Sequence, residues 1–300
     1  MYDQIGNVKI NLNYYNGKDQ YSDGEIENEL LSIVQQNKEF DDVIEKDNRW
    51  PILYHLSKYR SNIIEWYPFV EEGHVLEIGA GCGAITKALS ENLKQVTCVE
   101  LSKKRSLINA YRNRESSNIE IIVGDFNQME FSQKYDYITL IGVLEYAPSF
   151  SNSKKPFHAL LANVKKLLKP NGKLLIAIEN KFGLKYWAGA REDHTSGFFD
   201  SIENYGNNNY VKTFSKKELK KLLIDVGFIN IDYYYPMPDY KFPVQIFSEG
   251  RLPEVGELRD LIHNYDRDRI QLFEEANVLD SLIENNEFSF FANSFLVICD

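Results

Sequence analysis

The chain has little that would staple it, anchor it in a bilayer or draw it to nucleic acid. Only three of its 300 residues are cysteine, and Cys82, Cys98 and Cys299 have neither paired nor metal-type spacing. A disulfide scaffold and a zinc module are thereby excluded, and small buried thiols in a reducing, cytoplasmic compartment are expected. No apolar run approaches the length of a membrane span, and no signal-peptide pattern opens the chain, so no integral membrane segment is expected. Basic residues are outnumbered 34 to 44, a net charge of −10, where a nucleic-acid substrate would want a basic surface. The first 50 residues hold 11 acids against 5 bases, which reads as a solvated acidic face. No His/Asp/Glu cluster has metal-ligand spacing, so no metal is expected. Internal repeats and low-complexity tracts are absent from the sequence.

What is present is concentrated between Val75 and Thr86, which reads Val-Leu-Glu-Ile-Gly-Ala-Gly-Cys-Gly-Ala-Ile-Thr. An apolar strand runs into a glycine-rich turn and then a helix. Gly79, Gly81 and Gly83 remove the Cβ atoms that would hold a ligand away from the backbone. The helix-opening N–H groups favour a carboxylate or phosphate. Gly79, Gly81 and Ala84 also satisfy a dinucleotide fingerprint. Two further signals narrow the choice. Glu77 sits in the strand two residues before the first glycine. Glu100 ends a second buried strand, Gln95 to Glu100, 23 residues after Glu77, where a carboxylate takes both hydroxyls of a ribose. The third strand, Ile119 to Val123, leads into Gly124-Asp125-Phe126, an acid and an aromatic suited to an adenine edge and face. The fourth, Tyr137 to Ile141, leads into Gly142-Val143-Leu144-Glu145-Tyr146.

At these residues the chain resembles the class I S-adenosylmethionine-dependent methyltransferases. Glu77-Ile78-Gly79-Ala80-Gly81-Cys82-Gly83 matches that family's first motif; Glu100, Asp125-Phe126 and Gly142 to Glu145 fall where its later motifs fall. The resemblance covers residues 71–180. It implies a doubly wound, mostly parallel, seven-stranded Rossmann-like α/β sheet. It implies S-adenosylmethionine as cofactor, with the methionine end over Gly79, Ala80, Gly81 and Gly83. Ribose then lies on Glu100, and adenine between Leu101 and Asp125-Phe126. Gly142 joins the cofactor set, and Glu77 faces the cofactor's amino group or orders the turn. A narrower likeness rests on Tyr21 to Gly24, Tyr54 to Ser57, Glu179 to Tyr186, Glu192 to Thr195 and Tyr235 to Lys241. These resemble a bacterial subgroup that accompanies glycosyltransferases of surface-polysaccharide assembly. It implies a sugar or other small polar acceptor and association or fusion with a glycosyltransferase.

The length suits a single domain of residues 1–300. Residues 1–70 read as a helical cap, with Ser22-Asp23-Gly24-Glu25 as a capping box before Ile26, Leu30, Ile33 and Val34. Trp50-Pro51 starts a second helix, with Ile52, Leu53, Leu56, Ile63 and Ile64 as its buried stripe. Residues 71–180 form the cofactor-binding core, with Ser102 capping one helix and Pro156 starting another. Residues 181–212 have no clean period and are expected to be a substrate lid, with Trp187, Phe198 and Phe199 as its apolar contacts. Residues 213–300 complete the sheet: Ser215 to Glu218 is a second capping box, Phe228 to Tyr235 and Phe288 to Cys299 read as strands, and two helices are inserted over 250–285.

Methyl transfer from a sulfonium needs mainly positioning, plus a base if the acceptor is a hydroxyl. The expected base is His194, with Asp193 beside it stabilising the imidazolium; Glu145 and Tyr146 are further candidates, and His55 is the fallback. His158 reads as structural. Tyr54 and Arg60 could reach the cofactor's carboxylate or could serve packing and surface charge. The glycine motif also resembles the rRNA adenine dimethylases, but the Asn/Asp-Pro-Pro-aromatic signature and a Pro-Cys nucleophile are missing. Two alternatives stay open. An NAD-dependent dehydrogenase would share the glycine turn and Glu100, although the Tyr54 to Lys58 pair precedes the first core strand. A non-catalytic cofactor-binding module of a larger glycan-assembly protein would end after its last strand, as this chain does at Asp300.

Overall fold

A computed structural model describes residues 1–151, 153–206, 210–261 and 269–300. Asn207 to Asn209 of the expected lid, and residues 262–268 of the expected insertion, lie outside the described residues. The chain divides into two compact units, Met1–Leu140 with Val164–Lys173, and Ile141–Asn163 with Leu174–Asp300.

The first unit opens on a hairpin, β1 (Tyr2–Ile5) and β2 (Val8–Asn11), turned at Gly6 with φ +57°. Helices α1 (Ile26–Gln36), α2 (Asp41–Lys46), α3 (Trp50–Leu56) and α4 (Asn62–Glu65) follow. Strand and helix then alternate through β3 (His74–Ile78), α5 (Thr86–Asn92), β4 (Gln95–Glu100), α6 (Lys103–Arg112), β5 (Ile119–Val123) and β6 (Tyr135–Ile141). Pairing runs β1-β2-β5-β4-β3-β6, and every pair except β1·β2 is parallel. Parallel strands need crossover connections, and α5 and α6 supply them. Leu30, Val34, Phe40, Ile52, Leu56, Cys82 and Ile108 form one buried cluster that binds α1 and α3 to the glycine turn and α6. Fully burying each of its large aliphatic side chains contributes about 1.5–3 kcal/mol.

The second unit contains β7 (Leu168–Glu179, from Leu174), β8 (Ile231–Met237), β9 (Gln245–Ser248) and β10 (Ser294–Cys299). They pair β7-β10-β8-β9, all antiparallel, so β10 runs against its two flanking strands. Helix α7 (Pro156–Leu167) starts at the expected proline; α8 (Leu184–Trp187), α9 (Lys216–Val226), α10 (Glu275–Glu284) and α11 (Phe288–Phe291) follow. Ser215 and Glu218 form the expected reciprocal box on α9, and Gly227 ends it at φ +101°. Ser102 likewise caps α6 by accepting from Arg105 N–H at 3.2 Å.

The α/β class is as expected, but the described residues hold ten strands where seven were expected. The additional ones, β1, β2 and β9, have four residues each, too few for periodicity to register. The N-terminal cap is therefore not purely helical. Ser22 to Glu25 does not close a capping box: Ser22 Oγ and Asp23 N–H instead donate to the buried Glu27 carboxylate, at 2.8 and 2.9 Å. A charged acceptor inside the fold outcompetes the helix end for those donors. The apolar stripe after Trp50 is broken, because Ser57 caps a 3₁₀ turn, Lys58–Ser61, that moves Ile63 and Ile64 onto α4. The last strand starts only at Ser294, since Phe288–Phe291 is helical, and Phe228 precedes β8. Within 250–285 the described residues hold one helix, α10.

Candidate active site

In the first unit β3 delivers its chain into the glycine turn, where Gly79, Gly81 and Gly83 have φ of +71°, +54° and +76°. Only glycine takes these angles without strain. A Cβ on Gly83 would sit 2.4 Å from Asn109 Oδ1, and one on Gly81 would sit 3.2 Å from Arg105 Nη2. Glu100, at the end of β4, accepts from Gly81 N–H at 2.8 Å and from Ser102 N–H at 3.0 Å. Its carboxylate is thus fixed beside the turn with lone pairs remaining on both oxygens. Asp125 caps the short turn Phe126–Gln128, accepting from Asn127 N–H at 2.9 Å, and Phe126 is buried beside it. Leu101 follows Glu100 and is partly exposed, and Ala80 is buried. Backbone bared at a strand end, an oriented carboxylate and an acid–aromatic pair fit an adenosyl amino acid.

Glu77 faces inward. Its carboxylate accepts from Thr86 Oγ1 at 2.7 Å and from Cys98 Sγ at 3.3 Å, while Asn109 Nδ2 donates to Thr86 Oγ1 at 3.0 Å and Asn113 Nδ2 to Asn109 Oδ1 at 2.8 Å. Burial raises Glu77 to about 7, against the lowering pull of Thr86 and Cys98. Of the two roles expected for it, this network supports ordering the turn. On the cap, His55 Nε2 lies 3.0 Å from Asp23 Oδ2, and the Cys82 thiol acts electrostatically on its ring. Burial pulls His55 down, but Cys82 and Asp23 outweigh it and the pKa is raised.

The second unit gathers another set of buried charges. Glu145 follows β6 in the 3₁₀ segment Leu144–Phe150; Glu179 ends β7; His194 lies in the loop after α8; Lys241 follows β8. His194 Nε2 is 3.3 Å from Glu179 Oε2, and its Nδ1 is 2.9 Å from Tyr146 Oη. Asp193 turns away from this ring. It accepts from Lys185 Nζ and Tyr186 Oη, each at 2.7 Å, and from Lys241 Nζ. The carboxylate that orients His194 is therefore Glu179, with Asp193 serving the two lysines. The set holds four buried carboxylates, with Asp239 the fourth, against two ammonium groups, so one acid does best by keeping its proton.

That acid is Glu145. It is 0% exposed, and neither oxygen has a hydrogen-bond partner among the described residues. Burial and the Glu179 charge raise it to about 8, against His194 and Lys241. Glu179 goes the other way: burial raises it, but Lys241 and His194 hold it well below the usual carboxylate range. His194 is raised, since Glu179, Glu145 and Asp193 outweigh burial. Ligand atoms of Glu145, Glu179 and His194 lie within 4.8 Å of one another, close enough for a metal. Lys241 Nζ, however, sits 3.1 Å from Glu179 Oε1, where such a cation would compete with it.

Sequence reasoning thus found Glu145, Tyr146 and His194, which come together, and Asp193, which joins the adjoining lysines. It missed the roles of Glu179, Lys185 and Lys241. The signal was available in another form, because the subgroup segments Glu179 to Tyr186, Glu192 to Thr195 and Tyr235 to Lys241 supply these partners. Gly142, expected at the cofactor, has φ +68°; it donates to Ala177 C=O at 2.9 Å, and a Cβ there would meet Tyr240 Oη at 2.9 Å.

The comparisons with known proteins bear on the glycine turn. Residues 76–174 match the family model described as a methyltransferase domain. The chain carries an S-adenosylmethionine-dependent methyltransferase domain. Over 222 residues it is 32% identical to the Pyricularia grisea polyketide synthase–nonribosomal peptide synthetase pyiS, covering 68% of this chain and 5% of that protein. It is 30% identical over 142 residues to ribosomal RNA small subunit methyltransferase A of Malacoplasma penetrans, covering 43% and 50% of the two chains. It is 28% identical over 139 residues to a ubiquinone biosynthesis O-methyltransferase of Coxiella burnetii, covering 43% and 53%. The chain thus spans about half the length of the last two relatives and a small part of the first. Among solved structures, a phosphoethanolamine N-methyltransferase 1 of Haemonchus contortus, in complex with phosphoethanolamine and S-adenosylhomocysteine, is similar with a TM-score of 0.50. That likeness has 13% identity and covers 91% of this chain and 48% of the other. A chain of the Haloferax volcanii complex containing the Trm112 methyltransferase activator matches equally, with TM-score 0.50, 17% identity and coverage of 89% and 96%. At these identities the structures speak for the shared α/β fold. Among the described residues, no helix is long and apolar enough to cross a membrane.

Proposed function

We propose that the chain O-methylates a hydroxyl of a small polar acceptor, a sugar or glycan of bacterial polysaccharide assembly, in the cytoplasm and beside a glycosyltransferase. The observation that carries the hydroxyl reading is Glu145, a fully buried carboxylate with no donor among the described residues and a pKa raised to about 8. An unpartnered buried acid costs stability unless a ligand completes it, and a base poised near the working pH suits removal of a hydroxyl proton. When bound, S-adenosylmethionine supplies an electrophilic methyl group on a sulfonium. Gly79 to Gly83, Glu100 and Asp125-Phe126 hold and orient it. Glu145 takes the proton of the acceptor hydroxyl as the oxygen becomes the nucleophile. His194, its two ring nitrogens held by Tyr146 and Glu179, stabilises the ionised form of Glu145 by its own positive charge. Residues 189–206 close over the acceptor as a lid and exclude water.

The acceptor class rests on the subgroup segments, whose residues supply the His194 and Lys241 surroundings. A mass-spectrometric screen with isotopically labelled methyl donor against nucleotide sugars and glycans tests it. Label on a sugar oxygen supports the proposal; label only on nitrogen, on carbon or on RNA overturns it.

A further inference from the structure

We infer that Glu145, Glu179 and His194 form a binding site for one divalent metal of the zinc class. The site shares Glu145 with the base proposed above, so a loaded protein has no base to offer; the binding itself does not depend on that reading. Glu145 comes from the 3₁₀ segment after β6, Glu179 from the end of β7 and His194 from the loop after α8, three separate stretches of the second unit. One ligand atom from each lies within 4.8 Å of the other two.

Acidic groups gathered together do not by themselves make a metal site, but Glu145 adds a second observation. It is 0% exposed, and neither carboxylate oxygen has a donor among the described residues. Its backbone is tied down, since Glu145 C=O accepts from Lys212 N–H at 3.0 Å. Glu179 Oε1 is buried as well and makes no hydrogen bond among the described residues. The geometry of the pair His194 and Glu179 is that of two ligands on one ion. His194 Nε2 stands 3.3 Å from Glu179 Oε2, longer than the usual N–H···O bond. Two ligands held tetrahedrally at about 2.0–2.1 Å from zinc are themselves about 3.3–3.4 Å apart. The other ring nitrogen, Nδ1, is 2.9 Å from Tyr146 Oη. With its proton on Nδ1 and donated to that hydroxyl, the ring presents the Nε2 lone pair to a metal in a fixed orientation.

The charges point the same way. Four buried carboxylates, Glu145, Glu179, Asp193 and Asp239, accompany two ammonium groups, Lys185 and Lys241. With all of these ionised the set is two positive charges short, and one divalent ion beside a neutral imidazole makes up both. The donors decide which ion. One imidazole nitrogen with two carboxylate oxygens suits zinc, whereas magnesium prefers an octahedron of oxygens and keeps several of its waters. Entry costs the contact of Lys241 Nζ with Glu179 Oε1, at 3.1 Å, while Lys241 keeps its hydrogen bond to Asp193.

The test is calorimetry on the full chain, stripped with a chelator, with zinc chloride and magnesium chloride as probes. Wild type should take up one zinc per chain and give no binding heat with magnesium at the same concentrations. Glu179→Gln and His194→Asn should each weaken zinc by about 100-fold or more, and Tyr146→Phe by about 10–100-fold. Lys241→Met removes the competing cation and should tighten zinc by about 10–100-fold, a gain that loss of folding cannot imitate. S-adenosylmethionine affinity within a few fold of wild type shows that each variant is folded. No zinc uptake by wild type, uptake indifferent to Glu179→Gln and His194→Asn, magnesium held as tightly as zinc, or no tightening in Lys241→Met overturns the inference. A wild type that binds zinc as described but not S-adenosylmethionine overturns the cofactor reading and leaves the metal site standing, with Lys241→Met then deciding it.

Discussion

Replacing Glu145 by glutamine isolates one property of the second unit's charge cluster. The residue is fully buried with a pKa of about 8, so near neutral pH it is mostly the neutral acid, which glutamine copies in shape and charge. The fold should therefore survive, and the ability to accept a proton should not. In the wild type, kcat/KM should rise about tenfold per pH unit up to about pH 8 and then level, so that at pH 6 about one molecule in a hundred is competent. Glu145→Gln should lower the plateau about 10²–10⁴-fold and abolish the slope. His194→Asn gives a second reading of the same cluster. Imidazolium is among the groups that lower the Glu145 pKa, so its removal should move the slope to higher pH. Affinity for S-adenosylmethionine, measured by calorimetry, should stay within a few fold in both variants. A Glu145→Gln enzyme with wild-type turnover and an intact pH slope would refute the assignment and leave positioning alone to explain the rate.

Other outcomes follow from the first unit and the lid. Glu77 has a folded pKa of about 7 against 4.5 in the unfolded chain, so the stability from its protonated form is complete below pH 4.5 and is lost as pH rises through 7. Urea unfolding should therefore show wild type losing about 3 kcal/mol more than Glu77→Gln between pH 4.5 and 7.5; parallel curves would mean the carboxyl titrates alike in the folded and unfolded chain. Glu100→Ala should weaken S-adenosylmethionine by about 2–3 kcal/mol in calorimetry, because the ribose loses a charged acceptor and Gly81 N–H loses its tether; undiminished affinity would place the ribose elsewhere. Hydrogen exchange over 189–206 should slow only when cofactor and acceptor are both present, whereas Leu184 to Ala188, with Tyr186 and Lys185 already buried, should be protected throughout. Equal exchange in 189–206 with and without ligands would count against a lid.

The parts of this fold that were legible in the sequence are those whose cause is local. The β3 strand, the glycine turn, the Ser102 and Ser215 caps and the Pro156 start each depend on residues within a few positions of one another. Ser22 shows where that reasoning stops, since a cap-like spacing was overridden by the carboxylate of Glu27. The charge cluster was half legible for the same reason. His194 and Asp193 adjoin in sequence, so they were paired, yet the ring points at Glu179, 15 residues earlier, and the acid at Lys241, 48 residues later. No periodicity announces such partners; strand ends and loops bring them together. The β1–β2 hairpin escaped because four-residue strands, the first of them exposed at three positions, carry too few alternations to read.

Beneath the glycine turn runs a line of polar side chains, Glu77, Thr86, Asn109 and Asn113, contributed by β3, α5 and α6. Its consequence concerns what can be moved or inherited as a piece. The seven letters from Glu77 to Gly83 do not by themselves specify the loop's shape, because Gly83 is pressed against Asn109, and Glu77 is held by a hydroxyl nine positions later. Grafted onto another α/β chain without its threonine and asparagines, the loop would bring a buried acid with nothing to hold it. The heritable unit is the strand, the turn and two helix faces together, and drift at Thr86 or Asn109 would be felt at the ligand before any glycine changed.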